Sequence, residues 1–290
     1  MPVVHHRYAT VRDQQIFYRE AGPADAPAIV LLHGFPASSF MFRNLIPALS
    51  GQYHVIAPDY LGFGYSAAPP AEEFDYTFDV LTELTAGLLD QLGVTRYAIY
   101  VQDYGAPVGW RLALNSPEAI TAIITQNGNG YDDGFIDSFW TTVWDYHRAQ
   151  TPATEAAIRA ALTLEATRWQ YLAGVADETA VSPDTWLHDF ALLSRPGNDA
   201  IQLALFRDYA ANPPLYPPLH EYLRRHRPPV LAVWGKDDPI FGPDGARAFA
   251  RDVPDAEIHL LDGGHFLLES AGDQAAELIR DFLGRVTATR

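Results

Sequence analysis

The residues best equipped for chemistry in this chain sit singly at the ends of apolar runs. Asp103, in YVQDYGAPVG (residues 100–109), follows a β-type run and precedes a glycine-containing turn that leads into a helical pattern. Asp237 and Asp238 in GKDDP (235–239), His265 in GGHF (263–266) and His33 in HGFP (33–36) occupy three more such ends. A carboxylate is a poor attacker of an ester carbonyl, because the resulting anhydride is unstable and opens no easier second step. Toward an sp³ carbon bearing a leaving group it is a good nucleophile. Displacement would leave an alkyl ester on the aspartate. A histidine assisted by an acid could then activate water against that ester's carbonyl carbon and restore the carboxylate.

Such groups must be brought together by the elements that carry them. QIFYREAG, AIVLLHG, YHVIAPD, RYAIYVQD, ITAIITQNG, PVLAVWGKDD and AEIHLLDGG are rich in β-branched or aromatic residues and end mostly in Gly, Asp or Asn, so they read as strands. FMFRNLIPALS, TFDVLTELTAGLLDQLG, GAPVGWRLALNS and DQAAELIRDFLGRV carry apolar residues at helical spacing. This alternation predicts an α/β fold with a mostly parallel sheet covered by helices on both faces. Between about Tyr131 and Arg227 the strands stop. That stretch, rich in Trp, Tyr and Leu and broken at SRPGND and ANPPLYPP, predicts a helical insertion. In a parallel sheet ligands bind outside the carboxyl ends of the strands, which is where the four polar ends would converge.

The order Asp, acid, His, with the first on a strand-turn-helix corner, resembles the α/β-hydrolase superfamily over nearly the whole chain. The resemblance implies a hydrolase core from residues 1–130 and 226–290 with a helical cap at 131–225. It also implies that Asp103 is the nucleophile. Gly105 fits the elbow pattern, whereas Val101 stands where lipases and esterases have glycine. Asp in place of Ser points to the branch of epoxide hydrolases and haloalkane dehalogenases, whose elbows look like QDWG or HDWG. The family's strand-end motif G-x-x-D maps onto Gly235 to Asp238, making Asp238 the acid that orients His265, with Asp237 the near alternative. HGFP resembles the oxyanion loop, with the backbone N–H groups of Phe35 and Tyr104 facing the carboxylate. PDYLGFGYS (58–66) matches a structural loop, so Asp59, Gly62, Gly64 and Ser66 are architectural.

Asp is also a favoured helix N-cap, so Asp103 alone could be structural; the presence of Asp238 and His265 in the right order favours chemistry. Haloalkane dehalogenases hold the halide with N–H donors, commonly a Trp after the nucleophile and an Asn at the Phe35 position, and this chain has Tyr104 and Phe35. Gln102 is dehalogenase-like, whereas HGFP is the form usual in epoxide hydrolases. Epoxide opening needs an acid for the leaving alkoxide. The resemblance implies that cap tyrosines supply it: Tyr209, in FRDYAAN, matches a position where related enzymes carry a functional tyrosine, and the second could be Tyr171, Tyr146 or Tyr131. Trp140, Trp144 and Trp169 are substrate-wall candidates, although core packing would also explain each of them. The reading is therefore epoxide hydrolysis, with haloalkane dehalogenation as the alternative and a ligand-binding member without turnover as the non-enzyme alternative.

Bulk properties set the outer bounds. A 290-residue chain that is 48% apolar can bury a sizeable core without staples. A net charge of −16 argues against a nucleic-acid partner, which would need clustered cations. The absence of cysteine removes disulfides, thiolate zinc sites and cysteine nucleophiles. No leader pattern or membrane-length apolar window is evident, so a soluble cytoplasmic protein is the default expectation. His5 and His6 read as solvated strand residues rather than metal ligands. No metal or organic cofactor is required: the expected partners are a small apolar substrate, epoxide or haloalkane, and water, and a homodimer is left open as self-association.

Overall fold

Each run read as a strand becomes one, and in the central strands the side chains are buried on both faces of a single sheet. The computed structural model describes residues 3–288. Along it run β1 (His5–Val11), β2 (Gln14–Ala21), β3 (Ala28–Leu32), α1 (Leu45–Leu49), β4 (His54–Pro58), α2 (Phe78–Gln91), β5 (Tyr97–Val101), α3 (Gly105–Asn115) and β6 (Ile120–Thr125). Six helices then intervene: α4 (Asp137–Arg148), α5 (Pro152–Arg159), α6 (Leu164–Leu172), α7 (Pro183–Leu193), α8 (Asn198–Asp208) and α9 (Tyr216–His226). The chain closes with β7 (Val230–Gly235), α10 (Pro243–Ala248), β8 (Glu257–Leu261), α11 (Leu267–Ser270) and α12 (Gly272–Ala288). The edge strand β1 lies outside the seven runs; most of its residues are exposed, so its sequence lacks their apolar continuity.

The sheet order is β1-β2-β4-β3-β5-β6-β7-β8, with β2 antiparallel to β1 and β4 and every later pair parallel. From β3 the chain first steps to β4 and then returns to place β5 on the other side. The gap between the carboxyl ends of β3 and β5 is therefore a topological switch point, where a crevice forms. HGFP leaves β3 and Asp103 leaves β5, so the topology alone faces the two loops across that crevice.

Both faces of the sheet are apolar. Val30, Leu32, Ile99, Val101 and Trp234 belong to one cluster, while Ile29, Leu31, Tyr100, Ile124 and Val233 join the opposite one with α12 residues such as Ile279 and Phe282. Adjacent residues point to opposite faces, so a strand buried on both sides reads as an unbroken apolar run. Between β6 and β7 there is no strand among the described residues. Within that insertion α4 packs on α5 and α8, and α6 packs on α7, whereas α9 packs on α3 and so covers the sheet.

Candidate active site

The elbow that carries Asp103 is a strained turn held from several sides. Asp103 has φ +47°, in the left-handed region that costs a non-glycine residue on the order of 1–3 kcal/mol unless its surroundings fix it. They do. Gly105 N–H donates to Gln102 O at 2.7 Å, Ala106 N–H to Asp103 O at 2.9 Å, and Asp103 N–H to Asn127 O at 3.4 Å. Glycine is required at 105, because a Cβ there would lie 2.1 Å from the carbonyl oxygen of Leu32. This close approach of α3 to β3 is what turns the Asp103 side chain toward the crevice.

There the carboxylate meets two backbone donors and an imidazole. Phe35 N–H donates to Asp103 Oδ1 at 2.6 Å, and the Tyr104 N–H is a second backbone donor to the same carboxylate. His265 Nε2 lies 4.0 Å from Asp103 Oδ2, and His265 Nδ1 lies 2.8 Å from Asp238 Oδ2. Asp238 has its other oxygen on Ile240 N–H at 2.7 Å. Adjacent Asp237 is exposed, with its backbone N–H on Gly263 O. Burial raises the Asp103 pKa, opposed by His265 and the two N–H donors. Burial also works against a charged His265, but the Asp238 carboxylate and then Asp103 outweigh it and hold the imidazole pKa above its ordinary value. The arrangement can present a carboxylate to carbon, then take a proton from water at Nε2 with Nδ1–H anchored on Asp238.

Aromatic rings close over this centre. The Phe35 ring packs on Tyr104 and Phe206, with centroids 5.8 and 5.0 Å away. Tyr209, in the turn that follows α8, packs on Tyr104 at 5.7 Å and on Trp140 at 4.4 Å, with Trp144 at 6.1 Å. The Trp140 indole N–H is engaged, donating to Ile240 O at 2.9 Å. Tyr104 and Tyr60 both hold buried hydroxyls without a hydrogen-bond partner. Burial, with the Asp103 charge also contributing, raises the pKa of Tyr60, Tyr104 and Tyr209 alike.

Two candidates from the sequence lie elsewhere. The Tyr171 ring stacks on Phe266 at 3.9 Å and its hydroxyl donates to Asp189 of α7, because α6 packs against α7 and turns this phenol into their interface. Trp169 is 44% exposed and stacks on Phe139. Of the alternates, Tyr131 donates to Asp252 and Tyr146 lies among the charges of Glu155, Arg207 and Arg159. His33 serves its loop: its ring bonds Gly34 O through Nδ1 at 2.9 Å and accepts the Tyr60 N–H, and burial pushes its pKa down to about 4. Asp59 likewise takes the N–H groups of Ser39 and Tyr65.

A family model described as alpha/beta hydrolase fold matches residues 27–271. The chain belongs to the α/β-hydrolase family. Within it, the aspartate at the elbow places the chain in the Asp-nucleophile branch. An uncharacterized hydrolase of Saccharomyces cerevisiae is 43% identical over 268 residues, covering 91% of this chain and 92% of the relative. A haloalkane dehalogenase of Mycobacterium marinum is 30% identical over 274 residues, covering 91% of this chain and 87% of the relative. Among solved structures, the haloalkane dehalogenase DbeA from Bradyrhizobium elkani has a TM-score of 0.82 at 24% identity with full coverage of both chains, which is a likeness of fold.

Asn127 and Gln102 join this cluster of buried polar groups, and the sequence pattern pointed to a role for neither. Asn127, at φ +48°, donates from Nδ2 to Asp238 Oδ2 at 2.8 Å and to Gly235 O at 3.1 Å, while its Oδ1 accepts the Gly235 N–H at 2.9 Å. With its backbone oxygen also accepting the Asp103 N–H, it ties the Asp238 loop to the Asp103 turn. The signal was present in TQNG at the end of β6, a fifth polar strand end, in a residue type that tolerates the left-handed region. Gln102 is buried with its side-chain nitrogen 2.9 Å from His265 Nε2.

Proposed function

We propose that this α/β-hydrolase opens small apolar epoxides to vicinal diols. An Asp103 oxygen attacks one ring carbon; the new C–O bond forms as the ring C–O bond breaks, and the Tyr209 hydroxyl gives its proton to the departing alkoxide. Water then loses a proton to His265 and attacks Cγ of the Asp103 ester. The Phe35 and Tyr104 N–H groups hold the tetrahedral oxyanion. Its collapse expels the second diol oxygen, which takes the proton from the imidazolium; the other water proton returns to the Tyr209 phenolate through solvent. One water is consumed, and no metal or organic cofactor takes part. Asp238 holds the histidine tautomer, and the inserted helices act as a cap.

The observation that carries the epoxide reading is the phenol pair. Tyr209 and Tyr104 pack together within range of the Asp103 charge, and the Tyr104 hydroxyl is buried and unpartnered, so it can stand as second donor where Tyr171 is committed to Asp189. Trp140 and Trp144 contribute walls. Dehalogenation is the second reading, favoured by the relative from Mycobacterium marinum. Against it, the nearby Trp140 indole N–H is occupied by Ile240 O, and Phe35 has no side-chain donor.

The test is the mass of the trapped intermediate. His265→Gln removes the base and should leave the first step intact, so the protein accumulates a covalent adduct. An epoxide adds its whole mass to the Asp103 peptide, whereas a haloalkane adds its mass less that of the hydrogen halide. A parallel panel of small epoxides and haloalkanes therefore reads the leaving group directly. We expect whole-mass adducts on Asp103; alkyl-only adducts would install the dehalogenase reading, and an adduct on a serine would overturn both.

A further inference from the structure

Gln102 lies beside the base, and the reaction written above gives it no part. Its amide nitrogen is 2.9 Å from His265 Nε2, and its Oε1 is buried without a hydrogen-bond partner. The loop opposite leaves that oxygen room, since a Cβ on Gly34 would come within 2.3 Å of it. Leaving one end of a buried amide unsatisfied carries a free-energy cost, so the side chain's geometry calls for a reason.

The two ends of the amide match the two states of the imidazole. When His265 is neutral and its Nδ1–H is given to Asp238, Nε2 is a lone pair that accepts from the amide NH₂. When the ring is protonated, Nε2 carries hydrogen and requires an acceptor. A half-turn about the last side-chain torsion brings Oε1 to that place. We propose that Gln102 is a positioning residue for the base, an amide that reverses with the protonation of His265 and weighs toward the imidazolium. The bias follows because a charge-assisted hydrogen bond is the stronger of the two.

The proposal rests on the reading that His265 drives hydrolysis of an Asp103 ester. The groups around the ring are few: the carboxylates of Asp238 at 2.8 Å and Asp103 at 4.0 Å, the rings of Phe241 and Phe266 at 6.0 and 5.3 Å, and Gln102. Gln126 donates to the backbone oxygen of His265 and makes its other bonds to Asn127 and Tyr100. Before reaction both carboxylates favour the proton on the ring. Alkylation turns Asp103 into a neutral ester, which lowers the hold on that proton and frees the Nε2 lone pair for water; the amide presents its oxygen to Nε2 once the water proton has arrived.

Two substitutions predict shifts of opposite sign. Gln102→Met keeps the length but removes the acceptor, so the His265 titration midpoint should fall by about one pH unit; Gln102→Glu adds a carboxylate and should raise it by about 1–3 units. The primary readout is NMR titration of histidine-labelled, unreacted protein, with the His265 resonance assigned by its loss in His265→Gln. The second is single-turnover ester hydrolysis, whose acid limb should move with the same signs, so that Gln102→Glu accumulates adduct at neutral pH and clears it as the pH rises. A purely structural role would slow hydrolysis in Gln102→Met without lowering its midpoint, and that result, or a rise, overturns the proposal; Gln102→Glu, whose own charge raises the midpoint, calibrates the readout. If Gln102→Met does not fold, Gln102→Leu, which likewise lacks an acceptor, carries the same test. If no Asp103 adduct forms with any substrate, the two-step reading fails, while the titration in unreacted protein still decides the role of Gln102.

Discussion

At the scale of single residues, chemistry is assigned by what each side chain has left to give. The Trp140 indole is spent on Ile240 O and the Tyr171 hydroxyl on Asp189, whereas the Tyr104 hydroxyl has no partner. Tyr209 lies between Tyr104 and Trp140, and burial keeps its phenol protonated well above the ordinary tyrosine pKa. A phenol so held still transfers its proton readily to an alkoxide, which is a far stronger base. Tyr209→Phe should therefore cut epoxide turnover by about 10²-fold or more, the scale for loss of a positioned acid. The melting temperature should hardly move. A halide substrate should be affected less, since halide leaves as a stable anion. Steady-state rates on matched epoxide and haloalkane substrates check this, and equal losses on both would remove Tyr209 from proton transfer.

At the scale of elements, the elbow depends on how closely α3 approaches β3. Gly105 has no room for a side chain, its imagined Cβ meeting backbone on the neighbouring strand at 2.1 Å, whereas Gly284 in α12 meets nothing within 4 Å. The same chemical change should then have opposite effects. Gly105→Ala forces α3 away from the sheet and should destabilise by about 1–3 kcal/mol or more. It should also slow formation of the Asp103 adduct. Gly284→Ala, on an exposed helix position, should stabilise by about 1 kcal/mol through helix propensity. Denaturant melts of the two variants test the pair; if Gly105→Ala were as stable as the parent, the close approach would not be what fixes the elbow.

At the scale of the whole molecule, one buried acid outside the reaction couples folding to pH. Asp189 is buried between α6 and α7, where burial, joined by the Glu269 and Asp59 charges, pushes its pKa up to about 8 even though Tyr171 donates to it. The unfolded chain would release this proton near the ordinary aspartate value of ~3.9, so between that pH and about 8 the folded state holds more protons. Its stabilising contribution is therefore complete below the lower limit and declines as pH rises toward the upper one. Asp189→Asn keeps the shape and removes the titration. Its melting temperature should differ little from the parent's near pH 4 and exceed it by several degrees at pH 8. Thermal melts at the two pH values decide; an equal difference at both would mean that Asp189 is not the titrating group.

The same scale separates what the chain's letters determine from what folding adds. The strands after β1 are legible because a sheet covered on both faces demands unbroken apolar runs, and the polar residue that ends each run stands out against them. Asp103, Asp238 and His265 could be named for that reason, and the switch point between β3 and β5 follows from strand order. No helix among the described residues is long and apolar enough to cross a membrane. What stayed hidden are contacts between residues far apart in the chain: Asn127 with Asp238 across 111 positions, and Gln102 with His265 across 163. Local pattern encodes burial and secondary structure but does not record which buried polar atom finds which partner. That choice is made by sheet register and by the packing of one helix on another. Tyr171 shows the cost of this gap: the sequence offers it as a partner for Tyr209, and only the packing of α6 on α7 turned its hydroxyl to Asp189.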